Sequence, residues 1–131
     1  MRRRRVVIDV DETATLTLGE GCVLGEGTRI HARGGAVVRI GDGAVLGERC
    51  VILAHERVEI GAGAALGDGV VLVDFAHAHD DTERPVRHQP LRTAPVMVGD
   101  GARLGPGAVV ERGGAIPPGG MVGANAVVRA R

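Results

Sequence analysis

The chain has 131 residues, and 16 arginines offset 16 carboxylates with no lysine and no net formal charge. That length allows one domain, and Phe75 as the lone Phe, Tyr or Trp rules out an ordinary core filled by aromatic rings. Without base-stacking aromatics or a second basic block, the composition argues against a nucleic-acid partner.

In chain order, the Arg2–Arg5 run reads either as a contact for nucleic acid or an anionic membrane, or as a solvated tail, and the tail is favoured. No signal-peptide core follows it and no apolar run is long enough to span a bilayer, so no membrane insertion and a cytoplasmic place are expected. Residues 6–17 alternate apolar and polar (Val6, Ile8, Val10, then Ala14, Leu16). They are expected to be capping strands of an incomplete first turn.

From Leu18 the chain repeats every six residues. An aliphatic residue, usually followed by glycine, recurs at Leu18, Leu24, Ile40, Leu46, Ile60, Leu66, Val98, Leu104 and Val122. Ile30, Ile52, Leu72, Val110, Ile116 and Val128 hold the same slot with another follower. So strict a period comes from a chain wound into a coil. Three hexads per triangular turn group the aliphatic residues as Leu18/Leu24/Ile30, Ile40/Leu46/Ile52, Ile60/Leu66/Leu72, Val98/Leu104/Val110 and Ile116/Val122/Val128. The small residue four places on fills the space between them. Cys22 and Cys50 occupy that slot on different faces, which predicts two buried thiols and no disulfide.

The register slips three times. Ile30 to Ile40 and Ile52 to Ile60 read as small corner bulges. Leu72 to Val98 encloses a polar loop over residues 76–95, between coils over 18–75 and 96–129. A loop that long in an economical repeat points to function.

The hexads resemble those of left-handed parallel β-helix proteins. The expected fold is therefore all-β, a single-stranded left-handed parallel β-helix of about five triangular turns with one long protruding loop. The segment with Asp74–His77, Pro85-Val86, Gln89-Pro90-Leu91 and Val98-Gly99-Asp100 is more specific. It is similar to the hexapeptide-repeat O-acetyltransferases of the maltose/galactoside and polysaccharide-modifying type. That resemblance implies acetyl transfer from acetyl-CoA to a sugar or polysaccharide hydroxyl. It also implies a homotrimer with sites between neighbouring coils, and no metal.

The family's general base falls on His77. A neutral imidazole, with a reference pKa of about 6.5, suits the removal of a proton from an attacking hydroxyl at neutral pH. Asp74, His79 and His55 are the expected acceptor contacts, Asp74 alternatively orienting an imidazole, with a turn-forming Asp and plain loop or surface histidines as the structural alternatives. The coenzyme is expected along the last coils, past Gly105, Gly123 and Ala124, with Arg129 or Arg131 on its phosphates. His31, His88 and Arg84 are expected to be solvated. The sequence departs from the family at three points. Neither Ala54 nor His55 is the acidic residue often found there, Arg103 stands where tryptophan is common, and the family's proline-containing tail beyond the last coil is not expected.

Two other classes share such a coil. A zinc lyase of the carbonic anhydrase type would need His55, His77 and His79 around one metal with an open position. A non-catalytic trimeric scaffold or binding module would need no site at all.

Overall fold

The computed structural model describes residues 5–77 and 91–130, with only the main chain for His77. Among the described residues there is no helix, and hence none long and apolar enough to cross a membrane. The chain forms a parallel β-solenoid with three flat sides.

Sheet A stacks β1 (Val7–Val10), β4 (Arg29–Ala32), β7 (Val51–Ala54), β10 (Val71–Val73), β15 (Val109–Val110) and β18 (Val127–Val128). Sheet B stacks β2 (Thr15–Leu18), β5 (Val37–Ile40), β8 (Arg57–Ile60), β13 (Val96–Val98) and β16 (Ala115–Ile116). Sheet C stacks β3 (Val23–Leu24), β6 (Val45–Leu46), β9 (Ala65–Leu66), β14 (Arg103–Leu104) and β17 (Met121–Val122). The remaining pair, β11 (Phe75–His77) and β12 (Leu91–Thr93), is an antiparallel ribbon standing outside the coil.

The register follows the hexads. Leu18, Ile40, Ile60, Val98 and Ile116 lie one above another on sheet B. Leu24, Leu46, Leu66, Leu104 and Val122 do so on sheet C. Ile30, Ile52, Leu72, Val110 and Val128 form the third column, with Ile8 beneath them. The first turn is complete, since β1, β2 and β3 supply all three sides. Its Ile8 and Leu18 remain nearly half exposed because no turn lies below them. In the middle turns these columns are sealed, and each fully buried Leu or Ile contributes about 1.5–3 kcal/mol. Thr28 and Cys50 hold the same small slot in successive turns and donate to the carbonyls of Gly47 and Gly67, each at 3.3 Å. Cys50 is buried, which pushes its thiol pKa up, whereas Cys22 near the open end is only half-buried.

The spacing between inward aliphatic residues differs by edge. From B to C and from C to A it is six residues in every turn. From A to B it is ten (Ile8–Leu18), ten (Ile30–Ile40), eight (Ile52–Ile60), twenty-six (Leu72–Val98) and six (Val110–Ile116). The two short slips expected as bulges instead lengthen the A and B strands. Each strand gains a second inward residue, so Ala32, Val38, Ala54 and Val58 join the core. All extra chain leaves the coil at the A–B edge.

Polar side chains tie the successive bends at that edge. Asp11 accepts the Thr13 hydroxyl at 2.7 Å, the N–H groups of Thr13 and Ala14, and the Gly34 N–H of the next turn at 3.0 Å. The Thr13 hydroxyl above all, and then the Gly34 amide, lower its carboxyl pKa from 3.8 to about 2. A depressed carboxyl stabilises the fold above its unfolded pKa and loses that contribution as pH falls through the folded value. The Asp11 bend is therefore expected to hold at pH 3 and to open near pH 2. A carboxyl-resolved NMR titration with a midpoint near 3.8 would contradict these contacts.

Candidate functional site

The A–B edge gathers Asp74, His55 and the main chain of His77. Asp74 follows β10, where the chain leaves the coil, and its side chain is fully buried. One carboxylate oxygen accepts the His55 N–H at 2.8 Å, and the other accepts those of Glu56 (2.8 Å) and Arg57 (2.7 Å). Its carbonyl accepts the N–H of Ala94, where the chain returns, at 3.0 Å. Three main-chain donors satisfy a buried carboxylate well. Asp74 thus faces the main chain of the turn below, and the expected contact with a sugar hydroxyl gives way to this internal one.

The turn below contributes His55, whose half-buried ring meets the edge of Phe75 with centroids 4.4 Å apart and planes at 82°. Edge-to-face geometry of this kind is favourable. Phe75 opens β11, and its register partner Thr93 donates its hydroxyl to the Glu56 carboxylate at 2.6 Å. Glu56 was not singled out from sequence. It supplies an acidic group one residue beyond the Ala54-His55 position where the family often has one. Phe75 and Thr93 were also missed, because only the pairing of the ribbon brings them together.

His77 ends β11, and its main chain pairs with Leu91. It lies two residues beyond Phe75 on the same strand. His79, Arg84, His88, Gln89-Pro90 and Arg131 lie outside the described residues. His31 lies farther down sheet A, where its Nδ1 is 3.5 Å from Asp9, a carboxylate that also pairs with Arg33.

The residues expected to hold the coenzyme lie elsewhere. Gly105, Gly123 and Ala124 form the C–A edge of the last two turns. A Cβ on Gly105 would fall 2.6 Å from the Ala124 nitrogen, whereas one on Gly123 would meet nothing within 4 Å. Gly105 is therefore closed off by the turn above it, and of the two glycines only Gly123 faces open space. Arg129 does not join it. It follows β18 toward the A–B edge, and its Nε is 3.0 Å from Glu111. Arg103 is exposed on sheet C, in register with Ala65 and Met121.

In one chain, then, sheet A separates the histidine edge from the glycine edge. Its outer face carries Val51, Leu53, Val71, Val73 and Val109, all half-buried, and the half-exposed Val127. Among the described residues no group of three His, Cys, Asp or Glu side chains is placed to hold a metal ion.

No family model matches the chain. It is 35% identical over 118 residues to the "Probable acetyltransferase Rv3034c" of Mycobacterium tuberculosis, covering 90% of this chain and 39% of that one. It is 30% identical over 122 residues to the "Putative lipopolysaccharide biosynthesis O-acetyl transferase WbbJ" of Escherichia coli, covering 88% and 62%. The chain thus spans about two fifths and three fifths of these relatives' lengths. Its coil is shared with AntD, an N-acyltransferase from Bacillus cereus solved with dTDP and 3-hydroxybutyryl-CoA. That likeness has a TM-score of 0.73 at 13% identity and covers 97% of this chain and 73% of AntD.

Proposed function

We propose that this chain, whose sequence relatives and coil fit the hexapeptide-repeat acetyltransferase family, is an acyl-CoA-dependent O-acyltransferase that carries acetyl to a sugar or polysaccharide hydroxyl. The observation that carries this reading is the agreement of two independent facts. Its relatives are named as acetyltransferases, and the coil opens once, at the edge where His55, Phe75 and the His77 strand converge.

In this reading His77 is the general base. Its imidazole takes the proton of the acceptor hydroxyl as that oxygen bonds to the thioester carbonyl carbon. The carbon–sulfur bond then breaks, and the proton goes to the departing CoA sulfur. No covalent enzyme intermediate is needed, which agrees with Cys50 being buried in the core. His55 and Glu56, on the bend below the root of the His77 strand, are the acceptor contacts in this reading. His79 is a further one, by resemblance alone.

The pantetheine arm of acetyl-CoA is assigned to the C–A edge past Gly105, Gly123 and Ala124, where the position above Gly123 is open. Since that edge and the histidine edge lie on opposite sides of sheet A, a complete site requires the glycine edge of a neighbouring copy. The apolar outer face of sheet A supports such self-association, and we assign a homotrimer. Dependence on acyl-CoA is the reason for placing the protein in the cytoplasm.

The test is thermal unfolding with CoA and acetyl-CoA, followed by thiol release from acetyl-CoA with a panel of methyl hexosides. Binding at 100 times Kd stabilises by about 2.7 kcal/mol, so a clear rise in Tm and sugar-dependent thiol release are expected. No shift at millimolar acyl-CoA and no release with any hexoside would leave the scaffold reading in its place.

A further inference from the structure

At the A–B edge the main-chain ladder runs from each turn to the next. The N–H of Asp11 donates to the carbonyl of Ala32, and that of Arg33 donates to the carbonyl of Ala54. Val10, Ala32 and Ala54 are aligned, and Leu53 opposite Val73 sets Asp74 above Ala54. The next rung should therefore join the His55 N–H to the Asp74 carbonyl. It does not form. That carbonyl turns to the N–H of Ala94, and the Asp74 side chain takes its place at His55. The second carboxylate oxygen covers Glu56 and Arg57, whose donors would otherwise face the gap left by the departing chain.

We propose that Asp74 is a positioning residue, a clamp that fixes the histidine-bearing bend at 55–57 against the root of the His77 strand. One residue holds three segments. Its carboxylate grips the bend below, its carbonyl grips the returning strand at Ala94, and its own chain leads directly into Phe75. The His55–Phe75 ring contact and the Glu56–Thr93 hydrogen bond join the same bend to the same ribbon. Burying a carboxylate carries a desolvation cost that its hydrogen bonds must offset. Its presence where an ordinary turn uses a carbonyl follows from the need to let the chain out without loosening the bend. The functional half of this proposal rests on the acyltransferase reading, and the structural half does not.

The experiment compares wild type, Asp74→Asn and Asp74→Glu, with Asp42→Asn as control. Asp42 also accepts one main-chain N–H from the neighbouring turn, Glu20 at 2.8 Å, but on the B–C edge. Amide exchange is read by NMR, and kcat and KM are read with acetyl-CoA and the methyl hexoside wild type uses fastest. In Asp74→Asn the amides of residues 55–57 should exchange at least tenfold faster while those of β4 and β5 keep their protection. Its kcat should fall tenfold or more with KM for acetyl-CoA changed less than threefold. Asp42→Asn should leave kcat within twofold. Should the asparagine variant not fold, Asp74→Glu, which keeps the charge one methylene farther out, should show the same split. Unchanged protection at 55–57 overturns the clamp, and lost protection with unchanged kcat overturns its positioning role. If wild type transfers no acetyl group, the acyltransferase reading falls alone, and amide exchange still decides the clamp.

Discussion

Replacing His77 by alanine is expected to lower sugar-dependent acetyl transfer by about 10²–10⁴-fold, the usual worth of a positioned general base. That corresponds to roughly 3–5 kcal/mol of transition-state stabilisation. A sugar hydroxyl is too weakly acidic to attack a thioester unaided at neutral pH, so losing the proton acceptor should reach kcat directly. KM for acetyl-CoA should change little, because the surfaces proposed for the coenzyme lie on the other edge. Folding should also survive. His77 is held in β11 through its main chain, opposite Leu91, on the ribbon that stands outside the coil. The measurement is steady-state turnover of His77→Ala beside its Tm and assembly state. Wild-type turnover would remove His77 from the mechanism and with it the proposed reaction path.

A large stability loss is expected from Gly41→Ala. Gly41 does not sit at positive φ, so alanine suits its backbone conformation. The obstacle is the turn above. The new Cβ would lie 2.5 Å from the Ala62 nitrogen, 2.7 Å from the Gly61 carbonyl carbon and 2.8 Å from the Ala62 Cα. These are all main-chain atoms, and the Gly41 N–H is tied to the Ile60 carbonyl at 2.7 Å. Neither strand can yield without breaking the ladder. Overpacking a rigid interior costs typically 1–3 kcal/mol, and contact of main chain on main chain belongs at the upper end. We expect a loss of about 3 kcal/mol and a fall in Tm of roughly 10 °C or more. Gly43 is the control. Its φ is +68° and a Cβ there meets nothing within 4 Å, so Gly43→Ala carries only the left-handed backbone cost of about 1–2 kcal/mol. Calorimetry that ranks Gly43→Ala as the worse variant would refute the stacking account.

The coil was largely legible in the sequence. Local alternation decides which side chain points inward, and a six-residue period aligns those side chains whatever lies between. Leu18, Ile40, Ile60, Val98 and Ile116 therefore fall in one column across a twenty-six-residue interruption. The polar groups at the A–B edge were much less legible. Asp74 in a polar stretch resembles any turn-forming aspartate, because its burial depends on donors contributed by the turn below. The same holds for His55 with Phe75 and for Glu56 with Thr93. Each pair joins residues twenty or more positions apart, and no local pattern encodes such meetings. One usable signal was present. The spacings ten, ten, eight and twenty-six all fall on the same side of the triangle, which marks Asp11, His55 and Asp74 as members of one edge. The placement of Gly105, Gly123 and Ala124 on another edge follows from the same counting.

Confining every length change to a single edge divides the molecule into two kinds of surface. Along B–C and C–A, glycine packs against the main chain of the following turn, and an added residue would disrupt the tier above it. Along A–B, a longer segment can leave the coil where a side chain such as that of Asp74 meets the donors the departing chain uncovers. Length variation in this coil therefore has one direction open to it, outward from the side of the triangle between sheets A and B.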